Sequence, residues 1–515
     1  MSAVVRPGKS AAGNALAGSA ASYLAFAVET AVSLSISVLL VRTLSVEEFG
    51  AYKLAGAIIL AGSYFTSCGL DATLSRFGAE FIARGQWRAL ARLLVAVRVV
   101  RTVALLVFCG TLLVMRDTVA ELFAFPRILS DTLILVCAIL VVQSSTGIWG
   151  FSYFAARGAF VEAGLLRMTV SLLKLGGFAA AFAIGAGLVG VLWALFAASA
   201  AAVVWAAVRN SRWLRHRRTA GGDGPRPADD ATGRILRFSL IGYLAINVNV
   251  FRDLSIDNFV IAHFLGAEQV ALYGLAATLV TFANALNPAS LLRGVITPLL
   301  VTRYAVGQSM TEMQQAFRLL TKTVLLLHWP LLTLLIVLGA AVIRFVYTPE
   351  YAGAYAPLAT LCAFGYFLGL TFPFVPLISV LEKNALLLLS GATSLYNLAM
   401  TIVLVPRFGI TGAALATGSA AVLQLGLYWV AFRYLFAIRL SFPFGVLGRT
   451  LLNLTPAVVI ALVVGDRIDG VGRLLGTIAA GAAVYCVMVY FNHGLDDREL
   501  QLLTRARGGT GEAVG

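Results

Sequence analysis

The sequence is divided into long apolar segments, and their length constrains the fold more than any other feature. About fourteen such segments lie between residues 15 and 491. Each has about 20 mainly apolar residues, which is what a helix needs to cross a hydrocarbon core of roughly 30 Å. Of all residues, 60% are hydrophobic and only 12% are charged, as expected for a membrane protein with short loops. The sequence therefore predicts an all-α polytopic membrane protein with about fourteen transmembrane helices.

A pattern near the N-terminus recurs about 221 residues later. Residues 44–55 read LSVEEFGAYKLA, and residues 265–276 read LGAEQVALYGLA, with Leu, Glu, Tyr, Leu and Ala at matching positions. Within one residue, the same offset relates the Gly-x-x-Gly of residues 187–190 to that of 409–412. A constant offset at separated places indicates duplication of a six-helix block. We expect two parallel, pseudo-symmetric lobes, a common architecture of secondary transporters with the substrate site between the copies.

The duplication predicts how the chain is organised. One long polar stretch, rich in Gly, Pro and Arg, separates the two six-helix blocks, and two further helices follow the second block. These boundaries give an N-lobe with helices 1–6 at residues 1–209, a basic interlobe loop at 210–236, a C-lobe with helices 7–12 at 237–436, helices 13 and 14 at 437–491, and a polar tail at 492–515.

The distribution of Lys and Arg predicts the orientation in the membrane. The segments on one side of the membrane hold 27 of the 39 basic residues, including eight arginines in the segment 209–237, whereas those on the opposite side hold eight. Because basic residues mark cytoplasmic loops, we expect the interlobe loop and both termini to be cytoplasmic. The net charge of +15 then needs no nucleic-acid partner, since these residues would lie against anionic membrane lipid.

Charged residues within the predicted spans are the first candidates for a functional site, because they are costly at bilayer depth. Glu29 lies near the middle of helix 1, and helix 7 carries Asn249, Arg252, Asp253 and Asp257. Asn249, Asp253 and Asp257 have the spacing of one helical stripe. One interpretation is a central cavity in which Arg252 and Asn249 bind substrate and the carboxylates bind a coupling ion or balance charge. The other is that Arg252 pairs with an acid and only fixes helix packing.

A second basic set lies closer to the predicted cytoplasmic side. Arg98 and Arg101 lie within helix 3, and Arg293 ends helix 8 after Asn284. An Arg fork matches the geometry of phosphate, so these four residues are further candidates for substrate binding. Snorkelling of Arg98 and Arg101 toward the interface would explain their positions equally well.

Proline residues predict bends in helices 8 and 10. Pro288 lies in helix 8, and Pro373 and Pro376 lie in the TFPFVP sequence of helix 10. Because Pro removes an intrahelical hydrogen bond, the freed carbonyl must find another partner or line a cavity. We expect these prolines to act in gating, although static kinks have the same sequence pattern.

Several motifs of energy conversion and catalysis are absent from the sequence. It has no Walker A motif, no HExxH and no Gly-x-Ser-x-Gly elbow, and its five cysteines are scattered without paired spacing. The sequence therefore predicts no cofactor, no metal site and no enzymatic activity. A membrane glycosyltransferase or polymerase stays as an alternative, although the short external loops leave no room for an acceptor domain.

Two motifs resemble those of the polysaccharide-export flippases, the Wzx-type branch of the multidrug/oligosaccharidyl-lipid/polysaccharide exporter superfamily. The pattern R-x-L-x-x-E-x-F-G-x-Y follows helix 1, and P-x-F-G-I-x-G-A-A precedes helix 12. The matching residues are Arg42, Leu44, Glu47, Phe49, Gly50 and Tyr52 in the first motif and Pro406, Phe408, Gly409, Ile410, Gly412, Ala413 and Ala414 in the second.

The resemblance implies a function as well as a fold. It implies a bacterial inner-membrane protein that flips undecaprenyl-diphosphate-linked oligosaccharide repeat units from the cytoplasmic to the periplasmic leaflet, for O-antigen, capsule or exopolysaccharide synthesis. Coupling to H⁺ or Na⁺ and contact with polysaccharide synthases or polymerases are compatible with it. A cation-coupled drug exporter and a lipid II flippase of the same superfamily remain alternatives.

Overall fold

The computed structural model describes residues 9–220, 231–251, 253–289, 310–381, 385–465 and 467–492. Within these ranges all regular elements are helices, and no strand occurs. The predicted all-α class is confirmed. The chain divides into two compact units, Met1–Gly274 and Leu275–Gly515. The first unit extends beyond residue 237, where the sequence predicts that the second lobe begins, and the lobe boundaries stay a prediction.

The first unit contains twelve helices and the start of a thirteenth. A π-helical turn, Gly147–Ser152, joins α7 to α8. Helix α13 begins in this unit and continues into the second. The helices are α1 (Lys9–Thr43), α2 (Val46–Phe65), α3 (Leu70–Ala83), α4 (Trp87–Val114), α5 (Arg116–Leu122), α6 (Arg127–Asp131), α7 (Leu133–Thr146), α8 (Tyr153–Arg157), α9 (Phe160–Ala183), α10 (Gly187–Ala220), α11 (Ala231–Val250), α12 (Leu254–Leu265) and α13 (Ala267–Ala285).

The second unit is helical as well. Short π-helical turns at Val324–His328 and Ala431–Leu435 and a 3₁₀ turn at Pro349–Ala354 interrupt its helices. The helices are α14 (Met310–Thr323), α15 (Trp329–Val346), α16 (Tyr355–Gly369), α17 (Phe374–Val380), α18 (Ala385–Val430), α19 (Phe444–Gly465) and α20 (Val471–Phe491).

Many of these helices are long and apolar enough to cross a membrane. Within the described residues, ten helical stretches pass this criterion, or eleven when α2 and α3, which meet at a bend of 50°, form one span. The chain is therefore a multi-pass membrane protein. The count of fourteen stays a prediction, because α18 contains two predicted spans and the predicted helix 7 is divided between α11 and α12.

Local sequence signals explain several helix ends. Ser45 begins α2 with a capping box, in which its hydroxyl accepts from the Glu48 amide and the Glu48 carboxylate accepts from the Ser45 amide; this arrangement satisfies two amides that lack intrahelical partners. Between α9 and α10, Gly185 and Gly187 have φ values of 71° and 52°, which glycine adopts at low cost. Gly409 has φ 61° and breaks the helical path inside α18, at the predicted junction of helices 11 and 12.

The first unit has an aromatic core between α3, α4 and the π-helical turn. Phe77 and Tyr153 are buried there, and Trp213 of α10 packs edge-on against both Trp87 and Tyr153. Helix α1 packs along α9, and α9 and α7 both pack on α10. These contacts fix the rotation of the helices that carry the charged residues described below.

The second unit has its own cores. Phe374 of α17 is in ring contact with Phe317, Tyr428 and Phe432, which come from three different elements. A separate apolar cluster joins α15 to α19 and α20 around Leu338 and Leu474. Each unit can therefore be described as a packed helical body in its own right.

Candidate functional site

The break between α2 and α3 is the main irregularity within a span of the first unit. After Phe65 the backbone leaves the helix, and Cys68 and Gly69 both have positive φ, at 48° and 67°. A break inside a membrane span frees carbonyl groups that must find other partners, because lipid supplies no donors. The break is therefore a place where side chains from neighbouring helices have to supply hydrogen bonds.

A polar stripe on α11 supplies three of them. The Ser239 hydroxyl donates to the carbonyl of Cys68 at 2.6 Å, and the Tyr243 hydroxyl donates to that of Phe65 at 3.1 Å. The Asn247 amide is 3.5 Å from the carbonyl of Tyr64. Residues 239, 243 and 247 follow the i, i+4, i+8 spacing of one helix face, so α11 lies with its polar stripe along the break.

Arg101 of α4 contacts both sides of the same break. Its Nη2 donates to the carbonyl of Ser63 in α2 at 3.4 Å, and its Nη1 lies 3.5 Å from the carboxylate of Asp71 in α3. The Ser152 hydroxyl, in the π-helical turn, donates to the other Asp71 oxygen at 3.0 Å. Arg101 is 5% exposed. The buried guanidinium thus joins the two halves of a bent span.

Arg98 lies one helical turn from Arg101 but in different surroundings. Its guanidinium carbon is 5.1 Å from the centre of the Trp149 ring, and the side chain is exposed. Both arginines line one crevice between α4 and α7. The structure thus brings together Arg98 and Arg101, which the sequence predicts as one set with Arg293 and Asn284.

The predicted helix 7 is also broken, between α11 and α12. The side chain of Asp253 caps α12 by accepting from the Ser255 amide at 2.9 Å. The single stripe that the sequence predicts for Asn249, Asp253 and Asp257 assumes an unbroken helix, and the break at residues 251–253 removes that assumption. Arg252, the Asn249 side chain and Arg293 lie outside the described residues.

Asp257 is a deeply buried carboxylate of the first unit. It lies in α12 and is 1% exposed. The Tyr273 hydroxyl, in α13, donates to its Oδ2 at 2.7 Å. An intramembrane carboxylate at such a position is costly unless it is bonded or protonated. Asp257 therefore links α12 to α13 as well as being a candidate for ion coupling.

Glu29 lies at the contact of α1 with α9. It is half-buried, and it interacts electrostatically with Lys174 of α9. The sequence predicts Glu29 as a charge-balancing residue. Among the described residues, Lys174 is one positive charge that Glu29 can balance. The pairing depends on how α1 packs along α9.

The remaining predicted residues lie in or next to the second unit's helices. Asn284 is in the last turn of α13, and Pro288 follows the end of that helix. The side chain of Asn287 accepts from the Ala289 amide at 3.0 Å. Pro373 lies at the break between α16 and α17, and Pro376 lies in the first turn of α17.

A further polar cluster, which the sequence did not single out, joins the π-helical turn, α8, α9 and α10. Asn210 is fully buried; its amide donates to the Trp149 carbonyl at 2.6 Å, and its oxygen accepts from Arg157 at 2.5 Å. Glu162 bonds to both Arg157 and Arg209. Because it satisfies the backbone at the π-helical turn, this cluster stabilises the turn that also presents Ser152 to Asp71.

The sequence analysis also missed Asp71 and the polar stripe of α11. Asp71 lies two residues after Gly69, shortly after the apolar segment that ends at Phe65, and Ser239, Tyr243 and Asn247 recur at helical spacing in an apolar segment. Either pattern is a usable signal, since polar residues inside a span must find partners. The spacing of these residues does not indicate which groups they bond to.

The comparisons with known proteins agree with this architecture. A family model described as "Polysaccharide biosynthesis protein" matches residues 39–356, more than half of the chain. No curated protein matches the sequence. The solved structures that share this fold are a flippase and transporters.

Solved structures share the fold at low sequence identity. The lipid II flippase MurJ in an inward closed conformation has a TM-score of 0.67 and 14% identity over 93% of this chain and 99% of that one. An inward-facing multidrug resistance MATE family transporter of the MOP superfamily has a TM-score of 0.66 and 14% identity, over 79% of this chain and 94% of that one. The Vibrio cholerae MATE transporter VcmN in the bent form has a TM-score of 0.51 and 16% identity, over 82% of this chain and 97% of that one. The chain therefore belongs to the polysaccharide biosynthesis protein family, and its fold is similar to that of a lipid II flippase and of multidrug transporters.

Proposed function

We propose that the protein flips polyprenyl-diphosphate-linked oligosaccharide units from the cytoplasmic to the periplasmic leaflet of a bacterial inner membrane. The observation that carries the proposal is the match of residues 39–356 to a polysaccharide biosynthesis family in a chain with a flippase-like fold. A diphosphate with attached sugars cannot cross about 30 Å of hydrocarbon unaided, because burying its charge without partners costs many kcal/mol. Moving such units is therefore a step that a membrane protein of this family has to perform.

Broken helices support this proposal. In transporters, discontinuous helices present backbone groups and half-helix termini to substrates near the middle of the membrane. Here the break between α11 and α12 is flanked by Phe251 and Asp253, and Arg252 is the residue between them in the sequence. We infer that Arg252 binds the diphosphate with Asn249. Arg293 and Asn284, which the sequence predicts in helix 8, are further candidates for substrate binding. Arg98 and Arg101 form a second basic group on α4.

The lipid tail has a suitable surface in the second unit. A groove of about 230 Å³ runs between α15, α19 and α20, with Leu334, Leu338, Val458 and Ile478 among its walls. Its lining is mainly apolar, as contact with a prenyl chain requires. We infer that the tail stays in apolar surroundings throughout the cycle.

The cycle is proposed to be alternating access with ion coupling. Near one end of α2, the residue Gly50 is so close to Ala267 that a Cβ would overlap the Ala267 carbonyl oxygen. This close approach supports a state in which that end is shut. Glu29, Asp253 and Asp257 are the proposed sites for H⁺ or Na⁺, because a carboxylate that gains a cation can change its partners.

A cation-coupled drug exporter is the second candidate. It is favoured by the intramembrane carboxylates Glu29 and Asp257 and by the shared fold with a multidrug resistance transporter. Lipid II is a third possible substrate class, since MurJ has the same fold. Analysis of lipid-linked intermediates in a deletion strain separates these functions. Accumulation of complete polyprenyl-linked repeat units is expected, whereas normal surface polysaccharide with altered drug sensitivity would contradict the proposal.

Variants of Arg252 test the proposed headgroup site. We expect Arg252→Ala to abolish surface polysaccharide while the protein stays inserted, and Arg252→Lys to recover only part, because a bidentate fork becomes a point charge. If Arg252 only neutralises a neighbouring acid, combining Arg252→Ala with Asp253→Asn or Asp257→Asn should restore export. Full rescue by either double variant would assign Arg252 to packing and leave the substrate site elsewhere.

A further inference from the structure

A crevice between α4 and α7 is the most unusual polar feature of the first unit. Its volume is about 70 Å³, and Arg98 and Arg101 line it together with the hydroxyl residues Thr102 and Ser145 and the Trp149 ring. Two guanidinium groups within one helical turn, beside two hydroxyl groups, are a donor set that matches a phosphate oxygen cluster.

The positive charge of the crevice is only partly compensated. Arg101 has Asp71 at 3.5 Å, and its buried Nε has no hydrogen-bond partner among the described residues. Arg98 has the Trp149 ring but, within the described part of the chain, no acidic side chain within ion-pair distance. Of the two guanidinium groups, only that of Arg101 has a carboxylate beside it, so the crevice keeps an excess positive charge.

The position of the crevice indicates where a balancing anion would come from. The surrounding face of α4 is exposed and apolar, with Val95, Val99 and Leu106 between 54% and 66% exposed. Exposed apolar side chains on a spanning helix contact acyl chains. Arg98 follows Trp87 by eleven residues, which places it about 16 Å along the helix from its start. A cation at that depth is costly without a partner, and an anion that arrives from this side must carry its own apolar chains.

We propose that this crevice binds the phosphate group of a membrane lipid through Arg98 and Arg101, with the lipid chains lying along the exposed face of α4. The site requires no particular transport substrate, because a phospholipid and a polyprenyl diphosphate present the same chemical group. Thr102 and Ser145 can donate to the remaining phosphate oxygens, and Trp149 keeps the Arg98 guanidinium oriented by stacking.

Binding at this site acts on the break in the second span. The same Arg101 that lines the crevice bonds to the Ser63 carbonyl and pairs with Asp71. A phosphate that attracts the guanidinium competes with Asp71, and so weakens the link between α2 and α3. Lipid occupancy and the bend between these two helices are therefore coupled through one side chain.

Retention of defined lipids on the purified full-length protein tests the proposal. Native mass spectrometry is performed after incubation with phosphatidylglycerol, with polyprenyl diphosphate, or with diacylglycerol, which has similar chains but no phosphate. We expect the phosphate-bearing lipids to be retained and diacylglycerol to be lost. Arg98→Gln should reduce retention at least ten-fold, and because Arg98 is exposed this variant should fold. Arg92→Gln is the matched control, since it removes one charge from the same helix outside the crevice.

Each outcome of this experiment bears on the site. Retention of both phosphate lipids supports a site for bulk phospholipid, and retention of polyprenyl diphosphate alone supports the same site with the transport substrate as its ligand. Equal retention of diacylglycerol would overturn the proposal, because apolar contact would then explain binding. Equal losses in Arg98→Gln and Arg92→Gln would also overturn it, since the charge of the helix and not the crevice would be responsible. Neither result depends on export activity, so the proposed function is tested separately.

Discussion

The Lys53 side chain of α2 packs against Gly274 of α13, and the two residues have the same position in the two copies of the repeated pattern. A Cβ atom at Gly274 would be 2.8 Å from the Lys53 Cγ. The two residues are 221 residues apart, which is the offset between the two copies of the pattern. Contact between equivalent positions is what a two-fold relation between copies produces. The duplicated segments therefore meet each other at these two residues.

This contact makes a reversible cross-link possible. We expect Lys53→Cys and Gly274→Cys together to form a disulfide on mild oxidation, because a Cβ at Gly274 would be only 2.8 Å from the Lys53 Cγ and a disulfide needs close Cβ atoms. If α2 and α13 must separate in each cycle, oxidation should stop export and a reductant should restore it. Surface polysaccharide and gel mobility are the measurements. Each single-cysteine variant serves as the control, and full activity of the oxidised pair would show that this end does not open.

The orientation of the chain is testable by labelling. Cysteine at Ser211, in the exposed end of α10, should react with an impermeant maleimide only from the cytoplasm. Cysteine at Asp117, whose side chain is 85% exposed in α5, should react only from the periplasm. The reason is the excess of arginine around residues 209–237, which favours the cytoplasmic side. The reverse labelling pattern at either site would contradict the proposed direction of transport.

The polar stripe of α11 should stabilise the break between α2 and α3. Ser239→Ala and Tyr243→Phe each leave one carbonyl at the break without its side-chain donor. We expect each to lower stability by about 0.6 kcal/mol, the typical value for a polar contact between membrane helices, and the pair to lower it further. Thermal unfolding in detergent measures the change. Tyr434→Phe, at a residue that is 76% exposed, is the matched control and should have no effect.

The ion pair at the break should behave as a unit. Asp71→Asn leaves the buried Arg101 without its carboxylate, and removing one partner of a buried pair is more costly than replacing both. We expect Asp71→Asn to destabilise the protein more than the double variant Asp71→Asn with Arg101→Gln. A double-mutant cycle from thermal unfolding provides the coupling energy. Strictly additive effects would show that the two side chains do not depend on each other.

Much of the architecture follows from local properties of the sequence. Apolar length predicts the spans, and the glycines at Gly185 and Gly409 predict the points where the helical path turns. Both signals are local, because the cost of exposing a peptide group to lipid and the conformational freedom of glycine do not depend on distant residues. The capping box at Ser45 and Glu48 is local in the same way.

The partners of the charged residues were not predictable in this way. The sequence identified Arg101, Glu29 and Asp257 as costly charges inside spans, but their partners Asp71, Lys174 and Tyr273 come from other helices. The end of α11 at Val250 and the start of α12 at Leu254 were not predictable either, and the single stripe proposed for helix 7 stays a prediction. Helix rotation and the place of a break depend on packing against several neighbours at once.

The sequence by itself therefore determined that this protein is an all-helical, multi-pass membrane protein with a few charged residues inside its apolar segments, because length and charge are properties of a segment alone. The tertiary structure decided which charges are neutralised and which face a crevice. It placed Arg101 against the break between α2 and α3, left Arg98 beside Trp149 without an acidic partner among the described residues, and set Lys53 on Gly274. The physical reason is that ion pairs and hydrogen bonds act over a few ångströms, so they form only after the helices have been packed.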